Sequence, residues 1–267
     1  MRVPALHELE RLEWRVLGAL RAVDGTTGIA LRGRLEASAA GARIARNRSG
    51  LYVIHEWSRL ATHAAAFAAP PALPAPGSEQ LAITLRDPAG RYLPRLATLA
   101  LPRDPQAAGV DSLFAAVDIP LYPSAAAGLG TNWTAVRVSV TANADGAALG
   151  GALLRVVAGA AVLARGMSDW RGEALVPVVG VPVTTWSEDE DAVVVTTIAA
   201  IVEVYFDPAL GTRTPIVDVR AGRQPVVTPL VDPADLETRR AALATTQQNV
   251  SLAARGALNL NLGLDLP

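Results

Sequence analysis

Short apolar runs, bounded by Gly, Pro, Asp or Asn, follow one another along most of the chain. Residues 136–140 and 201–206 alternate between apolar and polar side chains, a period of two that is typical of strands with one buried face. The dipeptides Asp24-Gly25 and Asp145-Gly146 are turn signals, because Gly accepts the positive φ of tight hairpins. The pattern predicts an all-β protein of the sandwich type.

The same landmarks occur twice, at a spacing that stays close to 120 positions. Trp14 in the first copy corresponds to Trp133 in the second, 119 positions later, and Asp24-Gly25 recurs as Asp145-Gly146 after 121 positions. The other matched pairs are Leu31, Gly33 and Leu35 with Leu149, Gly151 and Leu153, residues 42–46 with 161–165, and residues 83–89 with 203–209. An ordered series at one spacing indicates an internal duplication.

Each copy contains an Ala-rich strand, a polar turn with Gly, and a further apolar strand, at residues 42–54 and 161–178. This order resembles the carboxypeptidase-regulatory-like repeat. The resemblance implies an Ig-like or transthyretin-like sandwich that serves as scaffold, spacer or adhesive element. The chain departs from that motif, since Arg48-Ser49 precedes the Gly in the first copy and Ser168-Asp169 is displaced from it in the second.

A longer resemblance involves residues 86–94, 113–122 and 163–186. These segments are similar to proteins encoded beside the sheath and tube genes of phage-tail-like contractile injection systems. The resemblance implies a structural role in such a particle, at its cap or terminal end.

The repeat and the proline distribution predict four regions. Residues 1–100 are interpreted as the first sandwich domain and residues 131–231 as the second. Residues 101–130, which carry several prolines, are expected to be an ordered linker. Residues 232–267 are expected to form a separate C-terminal helix and β-arm.

The C-terminal region has two patterns of its own. Asp232 and Pro233 predict a helix start, since Asp can cap and Pro suits the first turn, and Gly256 is expected to end that helix. A Leu then occupies every second position of residues 258–266, which predicts a strand with one apolar face. The apolar positions predicted to bind a partner are Leu236, Leu243, Val250, Leu258, Leu260, Leu262, Leu264 and Leu266.

The C-terminal strand requires a sheet edge, and two edges are compatible with its sequence. It closes its own second domain, or it adds to the sheet of a neighbouring subunit. The pattern does not favour either.

Composition narrows the function classes. The 267 residues include 24 basic and 25 acidic ones, all the basic ones being Arg, for a net charge of -1. This balance provides no basic field for nucleic acid. Neither a signal peptide nor an uninterrupted apolar span is evident, so synthesis in a bacterial cytoplasm without membrane insertion is expected, with release from the cell as part of a particle as a further expectation. The absence of Cys excludes disulfides and thiolate sites.

Candidate catalytic and metal-binding groups do not form a recognisable pattern. His55 and His63 are eight residues apart in a strand-and-loop region, which does not match a zinc motif. The acidic residues 188–191 are interpreted as a solvated loop in preference to a calcium site. No Gly-x-Ser-x-Gly is present. The interpretation is a protein without cofactor or enzymatic activity.

The tryptophans are the remaining candidates for chemistry. Trp57, Trp133, Trp170 and Trp186 are expected to pack in cores, with a sugar-stacking platform as the alternative.

These observations lead to two function hypotheses. The first is a structural or assembly subunit of a phage-tail-like contractile particle that binds other protein subunits through the C-terminal arm, with its own copies among the candidate partners. The alternative is a carbohydrate- or protein-binding module of the adhesin type.

Overall fold

The structure is a computed structural model, and it describes residues 15–65, 72–109, 111–182 and 197–266. These residues form two β-sandwiches in tandem, accompanied by short helices. The all-β prediction is therefore confirmed.

The first sandwich contains seven strands: β1 (Gly18–Asp24), β2 (Glu36–Ser38), β3 (Ala42–Arg46), β4 (Tyr52–Trp57), β5 (Glu79–Arg86), β6 (Arg95–Leu101) and β7 (Val117–Leu121). A 3-10 turn, Ser58–Leu60, and helix α1, Ala61–Ala65, follow β4. One sheet has the order β3-β4-β1-β7, and the other has the order β2-β5-β6.

The second sandwich contains nine strands: β8 (Thr134–Ala142), β9 (Ala148–Gly150), β10 (Leu153–Ala158), β11 (Ala161–Met167), β12 (Glu173–Val178), β13 (Thr197–Phe206), β14 (Thr212–Thr214), β15 (Ala244–Ala253) and β16 (Ala257–Leu264). Helices α2 (Ile216–Arg220) and α3 (Pro233–Arg239) and a 3-10 turn, Arg240–Ala242, lie between β14 and β15. One sheet has the order β11-β10-β13-β15; in the other, β8 lies between β12 and β16 and leads into β9 and β14.

The strand pairing repeats between the two sandwiches. In the first sandwich, β1 pairs antiparallel with β4 and parallel with β7. In the second sandwich, β8 pairs in the same way with β12 and β16, so β8, β12 and β16 correspond to β1, β4 and β7. The strands β5 and β13 occupy the same central place in the second sheet of their sandwich. The strands β3 and β11, which contain the matched residues 42–46 and 161–165, differ in their partners. Strand β3 pairs with β4, whereas β11 pairs with β10.

Each sandwich buries its own apolar core. Leu20, Ile54 and Leu85 are fully buried in the first, and Val138 and Phe206 in the second. Burying a side chain of this size stabilises the folded state by about 1.5–3 kcal/mol. Leu and Val together supply most of the buried residues of each core.

The prediction that one helix continues from Asp232 to Gly256 is wrong. Helix α3 begins at the predicted cap, where the Asp232 side chain accepts a hydrogen bond from the Ala234 N–H, but it ends at Arg239. Residues 244–253 are strand β15, which pairs with β13 along its whole length. A stripe with one apolar residue in seven gives a helix little surface to bury, so the hydrogen bonds to β13 determine the structure there.

Sheet pairing also divides the chain differently from the predicted regions. Strand β7 lies in the segment expected to be a linker, and it completes the first sandwich by pairing with β1. Its Pro120 fits because β7 is an edge strand, where an N–H can be dispensed with. Strands β15 and β16 lie in the segment expected to be a separate arm, and they belong to the second sandwich.

Candidate functional site at the interdomain junction

The outer edge of β6 binds a segment that belongs to the second sandwich. The Leu96 N–H donates to the Val231 carbonyl at 3.1 Å, and the Thr98 N–H donates to Asp232 Oδ2 at 2.9 Å. Both N–H groups therefore point away from β5, and both residues lie on the face of β6 that is turned away from the core. The second domain thus covers a sheet edge of the first.

Asp232 is the centre of this contact. Its Oδ1 accepts from the Arg95 guanidinium at 2.9 Å and from the Ala234 N–H at 3.0 Å, while its Oδ2 accepts from Thr98. One carboxylate therefore caps α3, pairs with a buried cation and holds the edge of β6. Its side chain is 8% exposed, so each of these bonds is shielded from water.

Arg95 supplies the opposite charge. Its side chain is 6% exposed, and it also donates to the Pro120 carbonyl at 2.7 Å and to the Leu96 carbonyl at 2.9 Å. Burial lowers the pKa of the guanidinium, while the Asp232 carboxylate opposes that change. Since an ion pair taken out of water requires good geometry and further hydrogen bonds, these contacts account for its presence here.

An apolar cluster lies beside the ion pair. Tyr122, which follows β7, contributes to the same buried cluster as Leu153, Met167, Val231 and Leu236 of the second domain. Burial raises the pKa of the Tyr122 hydroxyl. The Tyr122 carbonyl accepts from the Leu93 N–H at 2.9 Å, so this residue is anchored in the first domain while its ring lies among residues of the second.

Charged side chains hold α3 on the second sandwich. Glu237 pairs with Arg155 at 3.1 Å and with Arg165 at 3.3 Å, and Arg155 also pairs with Glu203 at 2.7 Å. Arg239, in the last turn, pairs with Asp207 at 2.9 Å. The helix that carries Asp232 is therefore fixed to its own domain while Asp232 contacts the other.

A groove of about 470 Å³ opens beside the junction. Residues of β7 and β11 line it, together with Asp232 and Glu237. A smaller cavity of about 60 Å³ lies between Tyr122, Met167 and Trp170.

The residues predicted to bind a partner lie mostly inside the second domain. Leu236 belongs to the junction cluster and is fully buried, and Leu243 packs against the same cluster. Val250 packs against the core of the second sandwich from β15. The junction brings Leu236 and Leu243 together, whereas Val250 lies in a different cluster.

The C-terminal strand also packs on its own domain. Strand β16 pairs with β8 in parallel, so of the two edges considered above the chain uses its own. Leu262 and Leu264 are buried in the second core, and Leu258, Leu260 and Leu266 pack against it. Because these side chains face inward, they do not offer the apolar face to a partner that the sequence suggested.

Arg95 is the junction residue that sequence reasoning missed. In β6 its position belongs to the core-facing set, in which the other members, Ala97, Leu99 and Leu101, are apolar. An Arg in such a place indicates a buried partner, and the acidic cap Asp232 was identified independently. Nothing in their spacing relates the two residues.

The candidate chemical groups remain separate in the described ranges. His63 is 5% exposed, and burial, assisted by the positive charge of Arg15, lowers the pKa of its imidazole. No group of three or more His, Asp or Glu side chains able to hold a metal occurs among the described residues. The acidic run at 188–191 lies outside them.

The tryptophans have different surroundings. Trp57 is 4% exposed and belongs to the first core, as predicted, so it cannot stack on a sugar. Trp170 is partly exposed, and the Arg171 guanidinium lies 5.9 Å from its ring centre. Trp186 lies outside the described residues.

Comparison with known proteins adds little to this picture. No family model matches the chain, and no curated protein matches it. The Bacillus anthracis TIE protein is a structural neighbour with a TM-score of 0.28 and 9% sequence identity. The match covers 94% of this chain and 34% of the TIE protein, so this chain spans about a third of the length of the TIE protein.

Among the described residues, none of the helices has the length and apolar character needed to cross a bilayer.

Proposed function

We propose that this chain is a non-enzymatic structural subunit of a phage-tail-like contractile injection particle, at its cap or terminal end. The observation that carries the proposal is the junction, where the Arg95 and Asp232 ion pair and the Tyr122 cluster join the two sandwiches through buried contacts. A fixed angle between domains suits a subunit that must hold its neighbours at a set geometry.

The junction supports a spacer better than a flexible tether. Linked domains move relative to one another unless their interface is large and apolar. Here, a main-chain hydrogen bond from Leu96, a buried ion pair and an apolar cluster act together. These contacts support the proposal that the two domains act as one unit in the particle.

The experiment is incorporation into purified particles. The chain is expressed with the particle's sheath, tube and baseplate genes, and particles are isolated and probed for it. We expect stoichiometric incorporation of the unaltered chain, and loss of it for Asp232→Ala. Asp235→Ala, which changes an exposed acidic residue of the same helix paired with Arg239, serves as the matched control. Particles that assemble normally and contain no copies of the unaltered chain would refute the proposal.

The second candidate is a carbohydrate-binding module, favoured by the partly exposed Trp170 beside a small cavity. An aromatic face of this kind can stack on a sugar ring. A glycan array separates the two proposals: binding that is lost in Trp170→Ala would support the module, and no binding at high protein concentration would eliminate it.

A further inference from the structure

Strand β15 has a long open edge. It is ten residues long and pairs with β13 from end to end on one side. On its other side, no backbone or side-chain hydrogen bond reaches residues 244–252 from the rest of the described chain. Among the described residues, the first partner on that side is at Ala253, whose carbonyl accepts from Thr134 Oγ1 at 2.6 Å.

The first sandwich shows which groups of β15 face outward. Strand β6 occupies the equivalent place beside β5, and there the residues that face away from the core, Leu96 and Thr98, direct their N–H groups to the free edge. For L-residues in strands of the same direction and the same buried face, the side on which the N–H lies is determined by chirality. The core-facing residues of β15 include Val250 and Leu252.

The outward main-chain groups of β15 therefore belong to the alternate set, Thr245, Gln247, Asn249 and Ser251. Ala253 has the same parity, and its carbonyl does point away from β13. The equivalent edge in the first sandwich is covered by Val231 and Asp232. The edge of β15 has no such cover from the described residues.

The other edges of the described sheets carry features that discourage pairing. Strand β3 has Arg43 and Arg46 with a bulge opposite β4, and β11 has Arg165. Proline interrupts β7 and β12, and β2 and β14 have three residues each. Strand β16 contains Gly263. In β15, the ten residues include no charge, proline or glycine, and its pairing shows no bulge. Proteins protect edges with such features, so their absence marks β15 as an edge for pairing.

We propose that a second copy of this chain binds here, through antiparallel pairing of β15 with β15 across a two-fold axis. With Gln247 opposite Asn249 and Thr245 opposite Ser251, the outward groups form about eight main-chain hydrogen bonds. Gln248 lies on the axis opposite its own copy, and an amide both donates and accepts, so the pair is self-complementary.

Charge favours a second copy over an unrelated strand. The exposed side chains of β15 are hydroxyls and amides, so two copies meet without repulsion between like charges. The same edge offers no charge with which to select a charged partner. A closed two-fold contact also uses up both edges at once and leaves none open for further growth.

The test is the mass of the full chain in solution, measured by sedimentation equilibrium over a wide concentration range. We expect a dimer, and we expect the double variant Gln247→Lys, Asn249→Lys to weaken its association about tenfold or more, because the new charges lie directly opposite one another. Ala82→Lys, on the exposed face of β5, is the control for added charge and is expected to leave the dimer unchanged.

A second variant removes a hydrogen-bond donor without adding charge. Gln247→Pro deletes an outward N–H and leaves the bonds to β13 in place, so it should give a folded monomer, with folding checked by circular dichroism. A chain that is monomeric at every concentration would overturn the proposal, as would a dimer that survives both variants. Binding of a different protein to β15 with no self-association would also overturn it. None of these results touches the structural role proposed above, which rests on the junction.

Discussion

Replacing Asp232 by Ala tests whether the two sandwiches behave as one unit. The substitution leaves the Arg95 guanidinium, 6% exposed, without its charge partner, and it removes an acceptor from the N–H groups of Thr98 and Ala234. Breaking a buried pair at one end costs about 3–5 kcal/mol. Loss of the helix cap alone costs about 0.5–2 kcal/mol. These contributions share one carboxylate and are not additive.

We therefore expect Asp232→Ala to lower the free energy of unfolding by about 4 kcal/mol. The assays are urea denaturation and, as a separate measurement, differential scanning calorimetry. The unaltered chain should unfold in one cooperative transition, because the junction couples the two cores. In the variant, the junction opens first and the transition separates into two.

Two further variants identify the cause. Asp232→Asn retains an oxygen for the cap but not the charge, so it should lose less stability than Asp232→Ala. Adding Arg95→Met to Asp232→Ala removes the unpaired cation, and it should recover part of the lost stability. A loss below about 1 kcal/mol for Asp232→Ala, with the single transition intact, would refute the reasoning that this carboxylate joins the domains.

Three other predictions follow from burial. Leu121→Ala, at a fully buried position of β7, should lower the free energy of unfolding by about 2–5 kcal/mol. Phe114, which precedes β7, is 76% exposed, so Phe114→Ala should change the free energy of unfolding by less than about 0.5 kcal/mol. Equal effects of the two substitutions would show that β7 is not part of the first core. Leu264→Ala, fully buried at the end of β16, should cost about 2–5 kcal/mol in the second domain, and a neutral result in urea denaturation would contradict the pairing of β16 with its own sheet. The pKa of the His63 imidazole is lowered in the folded state, so its contribution to stability is fully present above the unfolded pKa and is lost as pH falls through the folded pKa. The urea midpoint should drop between pH 7.5 and pH 5, and His63→Gln should reduce that drop.

Much of the fold was visible in local patterns. Strand β8 shows period two in its sequence and the same alternation in its burial. The cap at Asp232 was identified from residue type and forms as expected. A turn also follows Asp24, but the positive φ that was expected of Gly25 occurs at Gly28; in the second copy Gly146 has it, as expected. These features depend on a few adjacent residues, which is why the sequence reveals them.

The repeat was correct in outline and displaced by one residue in one of its strands. Aligning Asp87 with Asp207 matches two equivalent turns, since each carboxylate accepts the N–H of the Ala two residues later. The same alignment pairs core-facing Ile83 with Glu203, which faces away from the core. A shift of one residue moves every side chain of a strand to the other face. The alignment therefore matches the two turns correctly but places the strands before them one residue out of register.

Sequence alone determined the secondary-structure class, the duplication and the cap that begins α3, because period, turn residues and caps act over a few neighbouring positions. Tertiary structure decided that residues 244–253 are a strand, that β16 closes its own sheet, and that Arg95 meets Asp232 across 137 positions of the chain. Those outcomes depend on hydrogen bonds and burial supplied by distant segments, which local spacing does not encode.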